Sequence, residues 1–379
     1  MARERRAGGG AALEGIRVLD AAQGVAGPLA AMLLGDFGAE VLKVEPPEGD
    51  PARGQPGFAV WNRNKLGLVV DPSCAVDRAR WAELLAGADV CVVSDLTRLA
   101  VDASAHPGLV VAHLPPYPGP VPRAAAAPWT APAREHDGLL AAVTGAALRQ
   151  SSGDGGPVEP VYPHFLYLQG IWGAACTVAA LVERQRSGLG QVVTVTGVHG
   201  MMVGAAGFLA FDPGLPDATT AVGPGGPNPC YTRYRAGDAR WLFLGALTPK
   251  FQRLALRALD LGSLLDDPRL GGSLVAILDP ANRAWVTDRI AAVIGSRPRD
   301  HWLDVLAEAG CPAGPLLDRD DWLDHPQVRA LGMRVELDDP ERGPVVMPGV
   351  PLVLTSTPGS VRTPAPGLGQ HTGEARAWP

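Results

Sequence analysis

His136-Asp137 sets an imidazole beside a carboxylate, in a polar break just before the helical run Gly138–Leu148. An imidazole changes charge near neutral pH without a large shift, so this pair has the chemistry to move a proton. The bland alternative is a surface or helix-cap pair, and position alone does not separate the two. A second imidazole, His164, lies in the apolar, aromatic segment Pro160–Gly170. The turn Gln23-Gly24-Val25-Ala26-Gly27-Pro28 aims the N–H groups of a helix start into the space above a sheet, which suits a phosphate or carboxylate. A tight turn with no ligand fits the same residues. Asn62-Arg63-Asn64-Lys65 is a short basic knot between apolar runs, readable as an anion site or as a solvated loop. Dinucleotide fingerprint, P-loop, nucleophile elbow, HExxH and EF-hand patterns are all absent from the sequence.

The elements that must position these groups follow from the pattern of apolar residues. Ile16–Asp20 reads as a strand, Leu29–Phe37 as an apolar helix with Pro28 in its first turn, and Ala39–Glu45 as a second strand. Strand-like runs at Leu68–Asp71, Val90–Val93 and Leu109–His113 alternate with helical stretches such as Arg78–Ala86. The economical reading is an α/β fold with a mostly parallel sheet. Residues 115–134 read as a Pro/Ala-rich loop, Leu166–Arg186 as a long helix, and Val198–Phe211 as another. Residues 213–228 look like a linker into a smaller α+β domain at 229–330. That domain opens with a hairpin across Ala236-Gly237-Asp238 and continues with amphipathic helices at Lys250–Asp260, Pro280–Gly295 and Asp300–Ala309. Residues 1–12 read as a frayed tail before a larger domain, 13–212, and 331–379 as a return to short strands broken by Pro and Gly.

Composition excludes several classes. The 379 residues carry a net charge of −6 with 46% hydrophobic residues, which gives no global field for nucleic acid and no disordered character. Five scattered cysteines with no CxxC pair argue against a zinc site or a disulfide framework. No apolar run is read as long enough to span a bilayer, and residues 1–15 lack the pattern of a signal peptide, so a cytoplasmic location is expected. Three lysines (Lys43, Lys65, Lys250) stand against thirty arginines. Codon bias accounts for the arginines but not for the places where the lysines remain.

Taken together, the motifs resemble the family III CoA-transferases, of the formyl-CoA and carnitine CoA-transferase type, and the related α-methylacyl-CoA racemases. The resemblance is carried by Leu13–Asp20, Ala26-Gly27-Pro28, Leu33–Glu45, Asn62–Lys65 with Asp71, Leu181–Gln191, Cys311–Leu316, Asp324–Met333 and Ala365–Thr372. It implies a Rossmann-like large domain built from both termini, a smaller inserted domain and an interlocked dimer. A heteromer with a homologous chain is the other assembly that it leaves open. The implied ligand is a thioester of coenzyme A or of an acyl carrier, with no metal. Its contacts would come from Gln23, Val25, Ala26, Lys43, Glu45, Arg53, Asn64 and Lys65, since phosphates want cations and helix-start N–H groups. Lys250 would lie near the acyl end.

The sequence also departs from the family's pattern. Transferases of the family attack the thioester with an aspartate whose position falls at Leu166, or at Phe165 on a one-residue shift. The Gly-rich segment after the strand near residue 113 is replaced by Leu114-Pro-Pro-Tyr-Pro-Gly119, whose prolines remove N–H donors and stiffen the backbone. His136 matches the racemase histidine and Thr248 stands where that branch has a glutamate. Three readings follow. The first is acid–base chemistry at His136 with Asp137, with His164 a candidate for the vacated place. The second is transfer through a relocated nucleophile, Glu159 being the candidate, with Asp154 in a plain turn. The third is a non-catalytic partner subunit. Tyr162, Phe165, Tyr167 and Trp172 would form a roomy aromatic pocket wall or plain core.

Overall fold

Short apolar strands separated by helices assemble into a six-stranded sheet in the structure, a computed structural model that describes residues 10–115, 137–149, 156–159, 161–204, 206 and 228–373. His136, Asp154, the expected linker up to Pro227, most of the tail and of the Pro/Ala-rich loop, and the end of the helix expected to reach Phe211 lie outside the described residues.

The chain divides into two compact units. The first comprises Met1–Leu148, Glu159–Ala210 and Leu323–Pro379, so both termini belong to it. In it, β1 (Arg17–Asp20), α1 (Ala26–Asp36), β2 (Glu40–Glu45), α2 (Phe58–Trp61), β3 (Lys65–Val69), α3 (Ala75–Gly87), β4 (Val90–Val93) and β5 (Val110–His113) follow in order. Then come α4 (Asp137–Val143), the single turn α5 (Ala146–Arg149), α6 (His164–Ser187), β6 (Val192–Thr194) and α7 (Gly197–Gly204). The strand order is β3-β2-β1-β4-β5-β6, and every pairing is parallel. Side chains alternate between the faces. Val18, Val41, Val90 and Val110 pack under α1 and α6, while Leu19, Leu42, Cys91 and Val111 pack with Trp81 and Leu84 of α3.

The order reverses between β1 and β4. In open α/β sheets, the crevice outside the carboxyl ends of such a strand pair is where ligands bind. Here it is lined by the turn after β1 and by Ser94 after β4, whose Oγ accepts the N–H of Gln23 at 3.3 Å.

Helix α6 is 24 residues long and, by length and composition alone, apolar enough to cross a membrane. The sequence reading missed this by counting only the uninterrupted apolar run. In the structure the helix packs against α1, α7 and β5, which gives its apolar residues a use within the fold. Gly170 makes the α1 contact possible, because a Cβ there would lie 2.7 Å from the carbonyl oxygen of Ala26 and 3.0 Å from Leu29. We expect Gly170→Ala to cost ~1–3 kcal/mol from overpacking, against a gain of ~1 kcal/mol in helix propensity. A urea midpoint at or above wild type would contradict this.

The second unit comprises Arg149–Val158 and Phe211–Trp322. An antiparallel hairpin, β7 (Tyr231–Arg235) and β8 (Trp241–Gly245), is joined by β9 (Ala313–Pro315). Helices α8 (Pro249–Ala258), α9 (Pro280–Ile294) and α10 (Arg299–Glu308) cover it, with Leu242, Leu244, Leu256, Ile290 and Leu306 in the core. Back in the first unit, β10 (Arg334–Asp339) and β11 (Gly343–Pro348) form a second hairpin.

Candidate active site

Four of the residues expected to touch a ligand are buried, with their polar atoms paired within the fold. Strand β3 begins at Lys65 rather than Leu68, and its first side chain points inward. All three protons of the Lys65 ammonium are taken: Nζ donates to Asp20 Oδ2 at 2.7 Å, to the Pro28 carbonyl at 2.8 Å and to Asn62 Oδ1 at 3.0 Å. Lys43, with 0% side-chain exposure, donates to the Ala22 carbonyl at 2.7 Å and to Asp50 Oδ2 at 2.8 Å, and stands 3.8 Å from Asp20. Glu45 is buried and holds Arg53 through both carboxylate oxygens, at 2.8 and 2.6 Å. Asn64, at φ +59°, gives its amide to Asp36 and to the Ser360 carbonyl, and its oxygen accepts the N–H groups of Arg362 and Thr363.

Lys43, Lys65, Glu45 and Asn64, expected as ligand contacts, are thus buried among polar partners of the fold. Lys43 and Lys65 fix the turn, Glu45 holds Arg53, and Asn64 ties the end of α1 to the segment around Ser360–Thr363. The knot as a whole turns inward too, since Arg63 is 1% exposed and paired with Asp36 at 2.6 Å. Polarity suggested a loop, but Arg63, Asn64 and Lys65 find partners far along the chain and Asn62 pairs locally with Phe58 and Lys65.

The turn's donors are also occupied. Gly24 N–H lies 3.1 and 3.2 Å from the two oxygens of Asp50, and Gln23 N–H reaches Ser94. A phosphate on Gly24 would share that N–H with the carboxylate of Asp50. Burial opposes the charge of Asp50, but Lys43 and the N–H groups of Ala52 and Gly24 hold it below the usual carboxylate range. Burial likewise opposes the charge of Lys43, yet Asp20, Asp50 and Glu45 outweigh it and raise that ammonium. Burial pushes Lys65 down to about 8, against the pull of Asp20 and with Lys43 as a neighbouring like charge. Val25 and Ala26 are buried at the start of α1, and Arg53 keeps 19% side-chain exposure. Sequence reasoning missed Asp20, Asp50, Ser94 and Arg98. Arg98 donates to the Ala21 carbonyl and so fixes the same turn from the other side.

A second cluster forms at the start of α6. Asp137 opens α4, and its Oδ1 accepts the N–H of Phe165 at 2.8 Å and of Leu166 at 3.1 Å. Its Oδ2 is buried with no hydrogen-bond partner. Burial holds this carboxyl above its usual range, opposed by the helix N–H groups and by His164. A carboxyl raised in this way and fixed by one oxygen is suited to giving and taking a proton. His164 is exposed, with its ring 6.1 Å from that of Tyr162. Leu166 is 3% exposed, in one cluster with Val25, Leu29 and Leu140, so the α6 start adjoins the turn after β1.

A family model described as CoA-transferase family III matches residues 13–372. The chain belongs to that family. Succinyl-CoA–D-citramalate CoA-transferase of Chloroflexus aurantiacus is 28% identical over 391 residues, covering 96% of this chain and 92% of the relative. The β subunit of succinyl-CoA–L-malate CoA-transferase from the same organism is 28% identical over 389 residues, with coverage of 96% and 92%. A CaiB/BaiF family protein of Brucella suis shares the fold, with a TM-score of 0.81 at 24% identity over 96% of this chain and 98% of that one.

The family III chain thus carries its two clusters in one unit, on the same side of the sheet as the turn after β1. Glu159 stands in space beside Gly138, the neighbour of Asp137, where a Cβ would lie 2.8 Å from Glu159 Oε1. Thr248 and Lys250 are exposed in the other unit. The four aromatics expected as a wall do not share one environment. Tyr167 meets Trp61 edge-on at 6.3 Å and Phe165 packs with the Leu166 cluster, whereas Tyr162 and Trp172 are exposed.

Proposed function

We propose that this family III protein binds an acyl thioester, of coenzyme A or of a carrier, in the crevice beside the turn after β1. It acts there by proton transfer (isomerisation, elimination or cyclisation), with His136 and Asp137 as the working pair, and not through an acyl-aspartate at position 166. The observation that carries this reading is the start of α6. Leu166 is apolar and buried, while the carboxylate nearest to it is that of Asp137, raised by burial and bare at Oδ2. Loss of the attacking carboxylate removes the anhydride route at that position, since a leucine forms no acyl bond. A proton-transfer route needs only a base near neutral pH. Deuterium from solvent is expected to enter an acyl-CoA incubated with the protein, and His136→Ala is expected to abolish it. No incorporation across a broad acyl-CoA panel sinks the proposal.

A second reading has one observation in its favour: a relative is named as the β subunit of a two-subunit transferase. On that reading a homologous chain supplies the attacking carboxylate and this chain a binding site. The exposed apolar residues Ile171, Val178 and Val182 of α6 support assembly with another chain, either a like copy in an interlocked dimer or a homologue. A purified homodimer that turns over substrate unaided removes the heteromeric reading.

A further inference from the structure

The turn after β1 is held from five directions. Arg98 takes the Ala21 carbonyl, Lys43 the Ala22 carbonyl, Ser94 the Gln23 N–H, Asp50 the Gly24 N–H and Lys65 the Pro28 carbonyl. Asp50 alone among the five also caps the segment that carries Arg53. Its carboxylate caps the 3-10 turn Pro51–Gly54 through Ala52 N–H at 2.9 Å, and its own N–H donates to Glu45 Oε1 at 2.9 Å. That same Glu45 oxygen receives Arg53 Nε. Asp50 is therefore the shared post between the Gly24 turn and the Arg53 guanidinium, and it is 3% exposed, with Lys43 as its counter-charge.

We propose that Asp50 is a positioning residue of the ligand site, fixing the turn and Arg53 in register so that both meet one acyl thioester without rearranging. The proposal rests on the reading that the crevice takes such a thioester. The physical basis is preorganisation: a turn that is clamped before binding loses little freedom on binding, and a freed one pays that entropy from affinity. The residue touches no ligand itself. Its neighbour Gly24, at φ +82°, adopts a backbone conformation that Asp50 stabilises through the N–H.

The test compares Asp50→Ala and Asp50→Asn with wild type, using acetyl-CoA as the probe. It reads binding by calorimetry and backbone exchange at residues 22–28 by hydrogen–deuterium mass spectrometry. In wild type, acetyl-CoA should slow exchange in that turn. In Asp50→Ala, exchange of the free turn should rise, and the dissociation constant should increase about tenfold or more. Asp50→Asn keeps an oxygen for Gly24 and Ala52 and should recover most of the affinity, which a role limited to charge balance would not give. If Asp50→Ala does not fold, Asp50→Asn alone carries the test, with an expected weakening of about threefold. Wild-type affinity in a variant whose turn exchanges faster overturns the proposal and leaves the thioester reading standing. A wild-type protein that shows no protection of the turn by acetyl-CoA overturns both.

Discussion

Asp20→Asn should lower the unfolding free energy by ~3–5 kcal/mol at pH 7, read from the urea midpoint at constant slope. Asp20 is 0% exposed and is the one carboxylate within 4 Å of both buried ammonium groups, at 2.7 Å from Lys65 and 3.8 Å from Lys43. Taking away its charge leaves two buried cations with Asp50, and Glu45 beyond it, as the remaining carboxylates. Removing one partner from a buried ion cluster costs far more than the net contribution of the cluster, because the stranded charges keep their desolvation penalty.

The sign of the pH dependence adds a second readout. Lys65 titrates at about 8 in the folded chain and near 10.5 in the unfolded one, so between those values the unfolded chain binds more protons. Stability then rises with pH across that window. Without Asp20 the ammonium is less supported and titrates lower, so the rising limb begins earlier and the deficit of Asp20→Asn should shrink between about pH 7 and 9. Lys43 works in the opposite sense, since its raised value keeps its contribution until the pH climbs past the ordinary lysine range. At the acid end, Asp50 contributes stability that is present above 3.8 and lost as the pH falls through its lower folded value. A deficit under about 1 kcal/mol that is flat with pH would mean that the cluster holds little of the fold together.

Local patterns made much of this fold legible and left its ionic interior dark. β1, the helix after Pro28, β2, β4 and the Tyr231–Gly245 hairpin all announce themselves through alternation, turn residues and a proline in a first helical turn. Lys65 gave the wrong start for β3 because an ammonium in an apolar run normally signals a loop. Its partners at positions 20, 28 and 62 come together only after the sheet has formed. Asp50, in Gly49-Asp50-Pro51, reads as an ordinary turn, and nothing nearby reveals that it serves Gly24. His136-Asp137 was legible as a chemical pair. That Asp137 caps a helix beginning 27 positions later was not, since the two are brought together only by the fold.

That cap makes Asp137→Asn the sharpest probe of the chemistry. The asparagine oxygen can accept the same N–H groups of Phe165 and Leu166, so the start of α6 should hold and the urea midpoint should stay close to wild type. What disappears is a carboxyl that can carry a proton, and the rate of deuterium entry into acyl-CoA should fall about 100-fold or more while affinity for acetyl-CoA changes little. Asp137→Ala adds the loss of the cap, about 1 kcal/mol, so a drop in rate seen only with alanine would assign Asp137 to structure and not to catalysis. The pH profile separates the cases further. Because burial raises this carboxyl, the folded chain binds more protons than the unfolded one just above 3.8, and this group's contribution to stability is lost as pH rises through its folded value. A wild-type rate that climbs through the same interval, and a flat one in Asp137→Asn, would tie the catalytic proton to Asp137. His164, exposed and joined to the cap through its backbone N–H, which alanine keeps, and through its charge, should tolerate alanine with a rate near wild type. A large loss there instead would move the proton-transfer role from the carboxyl to the imidazole.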